Sequence, residues 1–216
     1  MKVYSTRDVS LESLREFSHD AGEELGIEVD ESQFTGKSSA ETPSIVTLLA
    51  EITWWKAIGM AALGLASKYA YSLADSAAKE HWTKRKEIAS GAAKGVRKLA
   101  AAITKLLHRS KPITIAVGLP FPDDYFSTHL DLIGADEESI TVQLELFIEH
   151  LPQLQTLIEE LKENKPATGI FLKLLENGSL EGYWFDGRTL HKSTRTFQLP
   201  VNKDKDNNAL PTPEEK

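Results

Sequence analysis

The chain has no cysteine among its 216 residues. That excludes disulfides, thiolate metal sites and a cysteine nucleophile, and it suits a reducing compartment. Long apolar runs are missing too. The longest uncharged run of the alanine-rich region, 57–67, has eleven residues, against the roughly 20 that a spanning helix needs. Lys68 would then fall near the bilayer centre at a cost of about 2.5 to 3.5 kcal/mol. The first eight residues carry neither the apolar core nor the small-residue cleavage site of a signal peptide. A cytoplasmic location is therefore expected, with attachment to a membrane surface as its variant.

Catalytic signatures are equally scarce. Gly36-Lys37-Ser38 ends as a phosphate-binding loop does, but Glu31 stands where that loop needs its first glycine. The six histidines, His19, His81, His108, His129, His150 and His191, are scattered without zinc-ligand spacing. His129, His150 and His19 read as strand-surface, helix-surface or cap positions. No Gly-x-Ser-x-Gly elbow is present. Asp123-Asp124, Asp136-Glu137-Glu138 and Glu159-Glu160 read as solvated turns and helix backs. Asn177-Gly178-Ser179 matches a glycosylation acceptor, yet reads as a hairpin turn. The residues thus assign no catalytic, cofactor-binding or metal site, and a non-enzymatic protein is expected.

What the chain does have is segregated charge. Between Lys79 and Lys111 ten Lys/Arg face only Glu80 and Glu87, a net of +8, so with −7 overall the remainder carries −15. Lys84, Arg85, Lys86, Lys94, Lys98, Lys105 and Arg109 form the candidate interaction surface. Three uses of it follow from charge alone: covering by the protein's own acids, a protein partner or second copy, or an anionic lipid surface. Nucleic acid is not expected, because the chain is acidic overall and shows no nucleic-acid-binding motif.

Periodicity predicts an α+β fold in four stretches. Residues 1–44 read as strand, helix, strand: Ser10 caps a helix with Leu11, Leu14, Phe17, Ala21 and Leu25 on one face, stopped at Gly26, and Ile27 and Val29 alternate as a strand. Residues 45–111 contain no proline and read as a helical hairpin turning near 84–91. Its first arm places Ala62, Ala66, Ala70 and Ala74 on an i+4 row that invites close helix packing. Its second arm is amphipathic, with Ile88, Ala92, Val96, Leu99, Ile103 and Leu106 on one face.

Residues 112–200 read as an antiparallel sheet with one covering helix. Ile113, Ile115 and Val117, then Thr128, Leu130 and Leu132, then Ile140, Val142, Leu144 and Leu146 alternate as a three-strand meander. Pro152 suits the first turn of a helix carrying Leu151, Leu154, Leu157, Ile158 and Leu161. Asn177-Gly178 joins two further strands, and a last strand falls over 194–199. Residues 201–216 read as a disordered tail.

The function expected from these features is protein interaction or regulation, by an adaptor or an immunity-type inhibitor that binds another macromolecule. The alternative is a membrane-surface or pore-associated effector using the 54–107 helices, with Trp54, Trp55 and Trp82 as interfacial anchors.

Overall fold

Strands from both ends of the chain meet in one eight-stranded mixed sheet of order β2-β1-β3-β4-β5-β6-β7-β8. The strands are β1 (Lys2–Ser5), β2 (Glu28–Val29), β3 (Ser44–Leu49), β4 (Ile113–Gly118), β5 (Thr128–Asp131), β6 (Ile170–Leu174), β7 (Leu180–Phe185) and β8 (Lys192–Phe197). Four helices accompany them among the described residues: α1 (Leu11–Ala21), α2 (Ile52–Gly59), α3 (Lys94–Arg109) and α4 (Glu137–Asn164). The computed structural model describes residues 1–5, 9–30, 44–59, 93–110, 112–120, 128–164, 169–175, 178–185 and 192–198. The α+β class is as the sequence predicts. Most of the first hairpin arm, its turn and the tail lie outside the described residues.

Local chemistry explains the first elements. The Ser10 hydroxyl accepts the Ser13 N–H at 3.1 Å and caps α1, which buries Leu14, Phe17 and Ala21. The helix ends four residues earlier than expected. Gly22 takes φ 89°, a conformation that L side chains resist, and a single 3₁₀ turn over Glu23–Leu25 carries the chain to left-handed Gly26. The stop expected at Gly26 therefore ends this turn instead.

Two stretches depart from the periodic reading. Residues 44–49, of which 45–49 are expected to open the helical region, form β3 inside the sheet, antiparallel to β1 and parallel to β4. Val46 and Leu48 are buried while Ile45, Thr47 and Leu49 on the other face are less so, but because Ile45 and Leu49 are apolar as well the stretch reads as a near-continuous run. The larger correction concerns the third meander strand. Residues 140–146 are helical, and α4 runs 28 residues through Pro152. Its spine is Ile140, Leu144, Phe147, Leu151, Leu154 and Ile158, a regular i+3/i+4 row in which every member is buried.

A second face of α4 is apolar as well, where Val142 and Leu146 pack with Leu174. The residues between them are buried polar groups with partners. Gln143 accepts from the Ile133 N–H at 2.8 Å and donates to the Ile133 carbonyl at 2.7 Å. Thr141 Oγ1 donates to the Glu137 carbonyl at 2.7 Å. Helix continuity at Pro152 normally costs about 3 kcal/mol, and the buried row on either side supplies the compensating packing.

Register places the core on one side of the sheet. Val3, Leu48, Val117, Leu130 and Leu172 are successive cross-strand partners, all buried, and they join the helices in one apolar cluster. Trp55 locks α2 into it. The indole is fully buried, donates to the Gly118 carbonyl at 3.0 Å, and meets Phe147 edge-on at 5.2 Å. His150, far from the helix surface expected of it, is fully buried. Its ring nitrogens lie 3.1 Å from the Gly178 carbonyl and 3.0 Å from Gln153 Oε1, tying α4 to the β6–β7 turn. That turn is the expected hairpin, with Gly178 at φ 78°.

Gly118 is where two strands come closest. A Cβ there would lie 1.7 Å from the Thr128 carbonyl oxygen, which the backbone of β5 can relieve only by moving. Gly118→Ala should therefore cost on the order of 3 kcal/mol, read by urea unfolding. A loss below about 0.5 kcal/mol, as at an open surface position, would refute this close approach.

Candidate functional site

Three features of the described surface and interior bear on function: the basic face of α3, an acid pair on α4 of which Glu145 is buried, and the sheet face turned away from the described helices.

The basic face meets the protein's own acids. α1 carries Glu16 and Asp20 one turn apart, and Glu24 follows four positions on in the 3₁₀ turn. Arg109 Nη1 bonds Glu16 Oε2 at 3.1 Å and Asp20 Oδ2 at 2.8 Å. Lys105 Nζ bonds Asp20 Oδ1 at 2.9 Å, and Lys98 pairs with Glu24. Order along α1 rises as order along α3 falls, so the two helices lie antiparallel with charge matched along the seam. The Lys105 hydrogen bond, the largest influence, and then the charge of Arg109 hold the Asp20 carboxyl below its ordinary value, against opposing desolvation. Each such exposed pair contributes only about 0 to 1 kcal/mol; the seam specifies register more than it adds stability.

Arg15, Glu16, His19, Asp20 and Arg109 line a shallow depression at one end of this seam. Of its two arginines, Arg109 is already shared between Glu16 and Asp20. Lys94 is exposed at the start of α3. Lys84, Arg85 and Lys86, and the ridge of Ala62, Ala66, Ala70 and Ala74, lie outside the described residues. The acids opposite α3 carry a legible signal, since 16, 20 and 24 repeat at i+4 on the side of α1 away from Leu14 and Phe17.

The acid pair sits deeper. Glu145 is 3% exposed, and its Oε1 accepts the Ala93 N–H at 3.2 Å, at the entry to α3. Glu149 lies one turn along the same face. Burial pushes Glu145 up to about 7, with the Ala93 hydrogen bond opposing it. Burial and then the Glu145 charge push Glu149 up to about 7. Among the described residues no group of three His, Asp or Glu side chains is arranged to hold a metal ion.

The third feature is the side of the sheet away from the described helices. On β5–β8 it carries His129, Phe171 and Tyr183 as successive cross-strand partners, with Phe185 two residues beyond Tyr183. The rings form a row: His129 and Phe171 stack at 6.1 Å, Phe171 and Tyr183 stack at 5.4 Å, and Tyr183 meets Phe185 edge-on at 6.3 Å. Lys192 Nζ lies 4.4 Å from the centre of the Tyr183 ring, a cation–π contact. Burial holds the His129 imidazole below its ordinary value, partly offset by Asp131. Ile45, on the same face by register through Thr114 and Ala116, is 40% exposed; Phe171 is 41% and Phe185 38% exposed. Sequence reasoning missed this row because its members come from three strands and align only through the register.

No family model, no curated protein and no solved structure matches this chain.

The acid pair makes stability depend on pH. Both carboxyls titrate higher folded than the ordinary 4.5, so between about 4.5 and 7 the folded state holds protons that the unfolded chain has released. Their contribution is most favourable below about pH 4.5 and declines as pH rises to about 7. At about pH 8, Glu145→Gln should be more stable than the parent by on the order of 1 kcal/mol. At about pH 4 that advantage should vanish. Urea unfolding at the two pH values checks this, and an equal effect at both would contradict it.

Proposed function

We propose that this chain is a non-enzymatic, cytoplasmic protein-interaction protein, a regulator that acts by covering part of another protein, as an adaptor or immunity-type inhibitor does. Its docking surface is the aromatic row on β5–β7, on the sheet face away from the described helices. The observation that carries this reading is that Phe171 and Phe185, two of the four large hydrophobic side chains most exposed among the described residues, belong to one row of rings on that face. Aromatic side chains grouped in an accessible patch are characteristic of protein contacts.

The state of α3 supports the same choice. Lys98, Lys105 and Arg109 are engaged by Glu24, Asp20 and Glu16, so three cations that would have faced phosphates already have carboxylate partners. Trp55, a candidate membrane anchor, is fully buried against Phe147, and the Trp54 indole donates to the Leu25 carbonyl at 2.9 Å. No helix among the described residues is long and apolar enough to cross a membrane.

The test is photo-cross-linking in cells with a photoreactive phenylalanine analogue at position 185 and, as control, at Glu159, exposed on α4. Protein adducts are expected from position 185 and not from position 159. Absence of adducts at 185, or equal adducts at both positions, would overturn the reading.

A further inference from the structure

We propose that the face of β5–β8 that carries the partly exposed Phe171 and Phe185 seats a second copy of this chain across a two-fold axis. The inference rests on the docking-face reading and names its occupant.

Charge selects that occupant. By strand alternation the face carries Asp131, Lys173, Glu181 and Lys192, two cations and two anions. In a protein of net charge −7 this is a locally neutral patch. Two copies repel at long range over most of their surface and least where the signs balance. A polyanion, or a partner of strong single-sign charge, would find no matching excess here.

Register supplies the geometry. Lys173 of β6 stands beside Glu181 of β7, and Phe171 beside Tyr183, in consecutive rows. Laying two such faces together about an axis parallel to the strands, over the seam between β6 and β7, exchanges the two strands. Lys173 of each copy then faces Glu181 of the other, and Phe171 faces Tyr183. Each contact occurs twice, as an isologous interface requires. The apolar row forms the centre and the opposite charges lie one row to the side, the arrangement of protein interfaces generally. Four strands at about 4.8 Å spacing make a contact smaller than the roughly 800 Å² per partner that stable complexes bury. Association should therefore be reversible and concentration-dependent.

The symmetry gives a stringent test by sedimentation equilibrium. Wild-type protein should show a monomer–dimer equilibrium. Lys173→Glu sets Glu against Glu twice, and Glu181→Lys sets Lys against Lys twice, so each alone should weaken dimerisation at least about tenfold, equivalent to about 1.4 kcal/mol. An equimolar mixture of the two variants should recover dimers, because every cross-interface pair again has opposite signs. Unchanged melting curves confirm that the variants are folded.

A wild-type protein that stays monomeric, single variants that dimerise as the parent does, or a mixture that fails to associate would each overturn the proposal. A monomeric protein that still gives Phe185 adducts to a different protein would overturn the second copy alone. A monomeric protein with no Phe185 adducts would overturn the docking face as well.

Discussion

Burial of α4 on more than one side is the constraint from which the rest of the architecture follows. One face carries the row from Ile140 to Ile158 into the main core, and another packs Val142 and Leu146 with Leu174. A helix so enclosed needs neighbours around it, and α2 and α3 supply them: Ile148 lies against Gly59, and the Ala93 N–H reaches Glu145. The described helices share the core on one face of the sheet, and the aromatic row lies on the other. This arrangement of the described helices thus links the packing of α4 to the surface proposed to bind.

Charge is divided along the same lines. The cations of α3 and the acids of α1 meet as antiparallel stripes at the helix layer, whereas the far face of β5–β8 carries few charges of balanced sign. The seam between α1 and α3 is exposed and contributes little stability per pair. Its consequence is to occupy the cations that most invited an interaction reading. The α4 carboxyls are a different case. Desolvation raises Glu145 and Glu149 to about 7, and the charge of Glu145 adds to the rise at Glu149.

Legibility in the sequence follows the environment of each element. The helix α1 was readable because one face is wet, so Leu14, Phe17 and Ala21 stand out at helical spacing; only its end was displaced, by Gly22. The amphipathic part of α3 and the β6–β7 hairpin at Gly178 were readable for the same reason. The strand β3 was not, since apolar Ile45 and Leu49 on its less buried face hide the alternation of Val46 and Leu48. In α4 the polar residues Thr141, Gln143 and Glu145 are buried and bonded, so alternation with Ile140, Val142, Leu144 and Leu146 imitates a strand. The spacing 140, 144, 147, 151, 154, 158 was present throughout and is the truer signal. For the candidate site, the basic face of α3 was legible and the acids opposing it were open to the same i+4 counting. The aromatic row depends on cross-strand register, which no local pattern encodes.

The absence of cysteine makes the central claim, that the described helices pack on one face of the sheet and leave the aromatic row on the other, directly measurable. Single cysteines placed at 170, 171, 172 and 173 along β6 can be labelled with a thiol reagent in dilute solution, where copies are apart. That arrangement predicts alternation: rapid reaction at Phe171→Cys and Lys173→Cys, strong protection at Ile170→Cys and Leu172→Cys. Protection at all four positions, or rapid reaction at all four, would contradict the account.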